Sequence, residues 1–148
     1  MKTSLSLTLL AFALATAAMP DGSDSPSRPF HLTKNCATPN PPAGVSPYCT
    51  VTFASLPQIK AGSNVYYNLP ATSAPVLSLD SMVVLYVSAN DWATGRCTLK
   101  SDGAHGLCTF TDGYGTLAGF HARVLVTPDA TNPSLYHWDG SYSLDIEP

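Results

Sequence analysis

The side chains best suited to proton chemistry near neutral pH are four histidines, His31, His105, His121 and His137. Two of them have charged neighbours at strand spacing. His121 is followed two residues later by Arg123, and His137 two residues later by Asp139, in runs joined by the segment from Pro128 to Pro133. If that connection centres on Ala130, antiparallel pairing sets His121 against Asp139 and Arg123 against His137. A His–Asp pair orients an imidazole for general-base catalysis, and an arginine beside it holds an anionic group. The same four residues suit a solvated outer sheet face, where a cross-strand polar pair adds about 0.2–1 kcal/mol. A slip in register disperses them. His31 and His105 are expected in solvent. Tyr86, Tyr136, Trp138 and Tyr142 are candidates to line an internal cavity, the alternative being ordinary packing. No Ser-His-Asp order, nucleophile elbow, phosphate loop or paired-carboxylate motif accompanies them.

These side chains need a scaffold, and the cysteines announce it. Asp102-Gly103 is the pair that a two-residue hairpin turn prefers, because both central positions need φ > 0. Counting outward from that turn sets Lys100 against His105, Leu99 against Gly106 and Cys97 against Cys108. The two cysteines then face each other at disulfide distance. Cys36 and Cys49 remain, and are expected to close a proline-rich loop. Without a C-x-x-C or a close histidine pair, neither a metal site nor a cofactor is expected. A second turn is expected at Asp112-Gly113-Tyr114-Gly115, feeding a strand-like run from Thr116 to Thr127.

Disulfides belong in an oxidising compartment, and the amino terminus agrees. Lys2, the apolar run Leu5 to Ala15 and the small residues Ala15-Thr16-Ala17 read as a signal peptide over residues 1–17. That run is shorter than the roughly 20 residues that span a bilayer, so no membrane span is expected and the protein is expected to be secreted. The chain has seven basic and ten acidic residues and no basic cluster, which argues against nucleic acid as a partner. Charged residues are only 11% of the chain, so Ser, Thr and Asn must cover much of the surface, as suits an exported β protein.

Residues 18–44 are rich in Pro, Ser, Asp and Gly and are expected to form a flexible arm, leaving residues 45–148 as the folded domain. Tyr48 to Phe53 alternates as a half-buried strand, and Asn64 to Asn68 continues in the same style. Ser81 to Val87 is apolar enough to suggest a central strand buried on both faces. Trp92 sits in a turn-like stretch and is expected to plug one end of the fold. Phe120, Ala122, Val124 and Val126 share one parity, as do Tyr136, Trp138, Tyr142, Leu144 and Ile146; these are expected in the core, with the histidine-bearing parity outside. Seven or eight strands with no convincing amphipathic helix mean a small barrel or a β-sandwich.

Gly95-Arg96-Cys97-Thr98-Leu99, Gly106-Leu107-Cys108-Thr109-Phe110, the Gly113-x-Gly115-x-Leu117-Ala118-Gly119-Phe120 turn and Tyr136 to Leu144 carry a family likeness. The chain resembles the allene oxide cyclase-like and dirigent-like proteins, a calycin-type group of small exported barrels, over about the last third of the mature sequence. The resemblance implies a closed antiparallel eight-stranded barrel holding a small apolar ligand, with isomerisation or cyclisation of that ligand in some relatives and homo-oligomers among them. It carries over no catalytic residue. The alternative function is a non-catalytic secreted interaction protein, such as a fungal effector or a surface antigen.

Overall fold

Short runs rich in Val, Thr, Tyr and Phe, separated by Gly, Pro and Asn, favour pleated strands over helices, and eight strands form. The structure is a computed structural model that describes residues 26–37, 46–72, 78–100 and 105–144; the expected signal peptide, the expected Asp102-Gly103 turn and Ile146 lie outside these. The strands are β1 (Arg28–Asn35), β2 (Tyr48–Ala54), β3 (Asn64–Tyr67), β4 (Leu79–Ser88), β5 (Asp91–Leu99), β6 (Gly106–Tyr114), β7 (Phe120–Pro128) and β8 (Leu135–Leu144). Each pairs antiparallel with its neighbour in sequence, and β8 returns to β1 to close the barrel. The expected eight-stranded barrel is therefore the architecture, and the sandwich is not. Closure leaves no open sheet edge.

Strands β1 to β7 spend alternate residues on the interior, and β8 presents Trp138 there. Phe30 and Leu32, Val51, Val83 and Leu85, Phe110, Phe120 and Val124, and Trp138 are buried there. Phe110 packs against Phe120 and Trp138 with ring centroids 5.8 and 5.5 Å apart, and Phe30 meets Phe120 edge-on. The lumen is a packed core. Each such side chain contributes about 1.5–3 kcal/mol through burial. Cys97 and Cys108 are direct cross-strand partners and are bonded, as are Cys36 and Cys49.

Four expectations change. Arg28–Asn35 is a barrel strand and not part of a flexible arm, so the folded unit begins well before residue 45. Its inward positions are Phe30, Leu32 and Lys34, and the lysine breaks the apolar alternation by which a strand is recognised. Strand β4 is buried on one face only, since Met82 is 57% exposed while Val83 and Leu85 are fully covered. Trp92 is not an end plug. It lies on the outer parity of β5, half-buried and stacked on Tyr114. The turn expected at Asp112–Gly115 comes later, because β6 runs through to Tyr114 and the chain reverses over Gly115–Gly119. Gly115 and Gly119 both adopt φ of 67°, a left-handed conformation that favours glycine. Leu117, Leu56 and Ile59 bury themselves under this end of the barrel.

Candidate functional site

The strand directions sort the polar groups into two ends. At one end lie the start of β1, the β2–β3 connection, the β6–β7 turn and the end of β8. A cavity of about 360 Å³ opens there, lined by Pro26, Arg28, Leu56, Pro57, Gln58, Tyr142 and Leu144. Leu56, Pro57 and Leu144 form its apolar side, which is matched by an equal share of polar wall. Arg28 supplies a guanidinium at the start of β1, and the buried Gln58 Oε1 accepts no hydrogen bond. An orphaned acceptor in such a place costs about 1–3 kcal/mol until a donor reaches it.

Towards the other end, among the described residues, the lumen holds one cation. Lys34 points inward from β1 and is 3% exposed. Its Nζ lies 4.3 Å from the centroid of the Trp138 ring and 4.9 Å from that of Tyr67, and it hydrogen-bonds the Tyr67 hydroxyl. Among the described residues no carboxylate pairs with it. Burial disfavours the charged form and brings the Lys34 amine down to about 7. Burial, reinforced by Tyr136, pushes the Tyr67 phenol up, so it stays protonated well into alkali. Trp138 Nε1 is also buried without a partner.

The outer face carries the histidines. His31 Nδ1 is 2.5 Å from Asp139 Oδ1, His137 Nε2 is 2.9 Å from Asp129 Oδ2, and the two rings stack 5.9 Å apart. The expected cluster of His121, Arg123, His137 and Asp139 is therefore not assembled. His121 faces Ser143, Arg123 faces Ser141, Leu125 faces Asp139 and Thr127 faces His137. The cause is the connection. Asp129 Oδ1 accepts from the backbone N–H groups of Thr131 and Asn132, and Asp129 N–H donates to Leu135 O. That knot centres the loop on Asn132 rather than Ala130, which slides every partner by four residues. His31 is likewise in a strand, not in a loose arm.

Of the cavity candidates, Tyr142 alone lines the mouth. Trp138 is core, and Tyr136 is half-buried against that core. Tyr86 points outward, in a row of rings that crosses five strands: Tyr48 to Tyr66 at 5.6 Å, Tyr66 to Tyr86 at 6.1 Å, Trp92 directly opposite Tyr86, and Trp92 to Tyr114 at 5.7 Å. No group of three or more potential metal ligands occurs among the described residues, and none of their helices is long and apolar enough to cross a membrane.

No protein-family model, curated protein or solved structure matches this chain. Sequence reasoning missed Arg28, Gln58 and Lys34. For Lys34 a signal existed: it keeps the parity of Phe30 and Leu32, which makes a lysine at an inward position.

The Asp129 knot makes an acid prediction. The His137 hydrogen bond first, then those from Thr131 and Asn132, hold the Asp129 carboxyl well below the usual carboxylate range. A depressed carboxyl stabilises the folded state above its unfolded value of about 4, and that contribution is lost as pH falls toward the folded value. Lowering the pH through 4 and below should loosen the β7–β8 connection ahead of the core. Amide exchange at Thr131 and Asn132 measures this, and Asp129→Asn should remove the pH dependence.

Proposed function

We propose that this barrel binds a small, mostly apolar molecule at its open end, and that the ligand carries a carboxylate and a hydroxyl. The mouth cavity supports this reading. Its volume falls at the small end of the roughly 300–1,000 Å³ common for ligand sites, and its wall is divided evenly between an apolar side and convergent polar groups. Arg28 pairs with the carboxylate, Gln58 Oε1 accepts from the hydroxyl, and Leu56, Pro57 and Leu144 cover the chain between. The lining orients a ligand, so the reading stops at binding and assigns no turnover. Export from the cell through the amino-terminal segment belongs to the same reading.

Titration calorimetry with 10-hydroxydecanoate tests it. Saturable binding is expected, weakened about tenfold or more by Arg28→Ala, a loss of about 1.4 kcal/mol or more. Gln58→Leu should weaken binding similarly while slightly stabilising the free protein, because it removes the orphaned acceptor. Unchanged affinity in both variants contradicts the proposal. The second reading is a non-catalytic interaction protein. The outer row Tyr48, Tyr66, Tyr86, Trp92 and Tyr114 favours it, since Tyr and Trp are enriched where proteins meet partners.

A further inference from the structure

We propose that the Cys36–Cys49 disulfide is a thiol-exchange site, at which a small thiol of the glutathione class adds to Cys36 while Tyr67 and Lys34 supply the proton for the departing Cys49 sulfur. The two disulfides have different surroundings. Cys97 and Cys108 pair across β5 and β6 and are 2% and 1% exposed. Cys36 stands just past the end of β1, half-buried beside the exposed Ala37, whereas Cys49 on β2 is buried. An incoming thiol therefore meets Cys36, and Cys49 leaves inward. It leaves toward a proton source. The Tyr67 hydroxyl lies 3.9 Å from Cys49 Sγ and is also hydrogen-bonded to Lys34 Nζ. A disulfide sulfur carries no hydrogen, so the phenol donates to the sulfur while its oxygen accepts from Lys34. Core packing alone does not call for the amine, since an apolar side chain would continue the inward row of Phe30 and Leu32 with no charge to desolvate.

The thiolate of the small thiol attacks Cys36 Sγ and forms a new S–S bond as the Cys36–Cys49 bond breaks, and the electron pair of that bond departs on Cys49. The incoming sulfur is oxidised into a mixed disulfide and the Cys49 sulfur is reduced, so no further oxidant or reductant is needed. Exchange is faster the better the leaving thiolate is stabilised. Tyr67 gives its hydroxyl proton to Cys49 and takes one from the Lys34 ammonium, so no phenolate persists, as suits a phenol that burial keeps protonated. The transfer runs downhill. Burial brings the Lys34 amine to about 7, below the roughly 8.5 of an ordinary thiol, which makes the ammonium the stronger acid. The titratable groups around the amine are Tyr67 of β3, Cys49 of β2 beyond it and Tyr136, the β8 partner of Lys34; among the described residues no carboxylate pairs with it. The Cys49 thiol stays next to Cys36, so its return attack expels the small thiol and restores the original bond.

The test treats the native protein with reduced glutathione at pH 7, traps free thiols by alkylation and maps the peptides. Glutathione should be found on Cys36 with Cys49 alkylated, and this disulfide should open at least about tenfold faster than Cys97–Cys108, whose sulfurs are covered. Cys97–Cys108 also reports unfolding, because a variant that has lost the barrel opens both. Tyr67→Phe and Lys34→Met should each slow opening of Cys36–Cys49 several-fold with Cys97–Cys108 still closed. Corrected for the glutathione thiolate present, the native rate should fall as the pH rises through about 7 and the Lys34 ammonium is lost, and in Lys34→Met it should stay level. The adduct position and the native pH profile need no variant. Glutathione on Cys49, or equal opening of the two disulfides in the native protein, would overturn the proposal. A level native pH profile, or undiminished opening in both variants, would overturn the roles given to Lys34 and Tyr67.

Discussion

Lys34→Met should stabilise the protein by about 2–4 kcal/mol at pH 6 and destabilise it by about 1–3 kcal/mol at pH 10, a reversal of sign within one pair of denaturation curves. The folded-state amine is at about 7, against 10.5 in the unfolded chain. Between those values the unfolded chain holds more protons, so the stability of the native protein rises with pH across the window. Converted at about 1.4 kcal/mol per pH unit, the rise is at most about 5 kcal/mol. Methionine removes that penalty at pH 6 but leaves the buried Tyr67 hydroxyl without its partner at every pH. Above pH 10 the trend turns. The unfolded tyrosine loses its proton while the raised Tyr67 keeps its own, so stability falls again as pH increases. A flat profile between pH 7 and 10 would mean that the amine is hydrated.

The second large effect is at Trp138. Its ring is fully buried against Phe110 and beneath Lys34 Nζ, so Trp138→Ala should cost about 3–5 kcal/mol through lost burial and the cavity left behind. Trp138→Phe should cost much less, because it keeps most of the packing and removes an indole N–H that has no partner. On the other parity of the same strand, His137→Ala should cost about 1 kcal/mol for its hydrogen bond to Asp129. Thermal denaturation of the three variants measures the order. Equal costs for Trp138→Ala and His137→Ala would mean that β8 does not present Trp138 to the core.

That parity was legible in the sequence because Phe120, Ala122, Val124 and Val126 alternate without interruption, and Tyr136, Trp138, Tyr142 and Leu144 keep one parity with a break only at Gly140. The Cys97–Cys108 register was legible for a similar reason: a two-residue turn leaves one way to count. The β7–β8 register was not, since it depends on which backbone groups Asp129 gathers, a matter of side-chain bonding within a longer loop. Strand β1 was hidden by its lysine and by its partner β8, more than a hundred residues distant. The mouth cavity was hidden too, because it is assembled from the start of β1, the β2–β3 connection and the end of β8. No local pattern marks such a site. The histidines show the converse. His137 and Asp139 do enter polar pairs, but His137 with Asp129 of the β7–β8 connection and Asp139 with His31, a partner that only closure of the barrel supplies.

The most direct test of a packed lumen with its binding site at the open end is an amide chemical-shift titration of the native protein with 10-hydroxydecanoate. Saturable shifts should concentrate on Arg28, Leu56, Gln58, Tyr142 and Leu144, with the amides of Tyr66, Tyr86 and Trp92 unmoved. Shifts centred on the outer aromatic row, or no saturable shift at the mouth, would contradict the account.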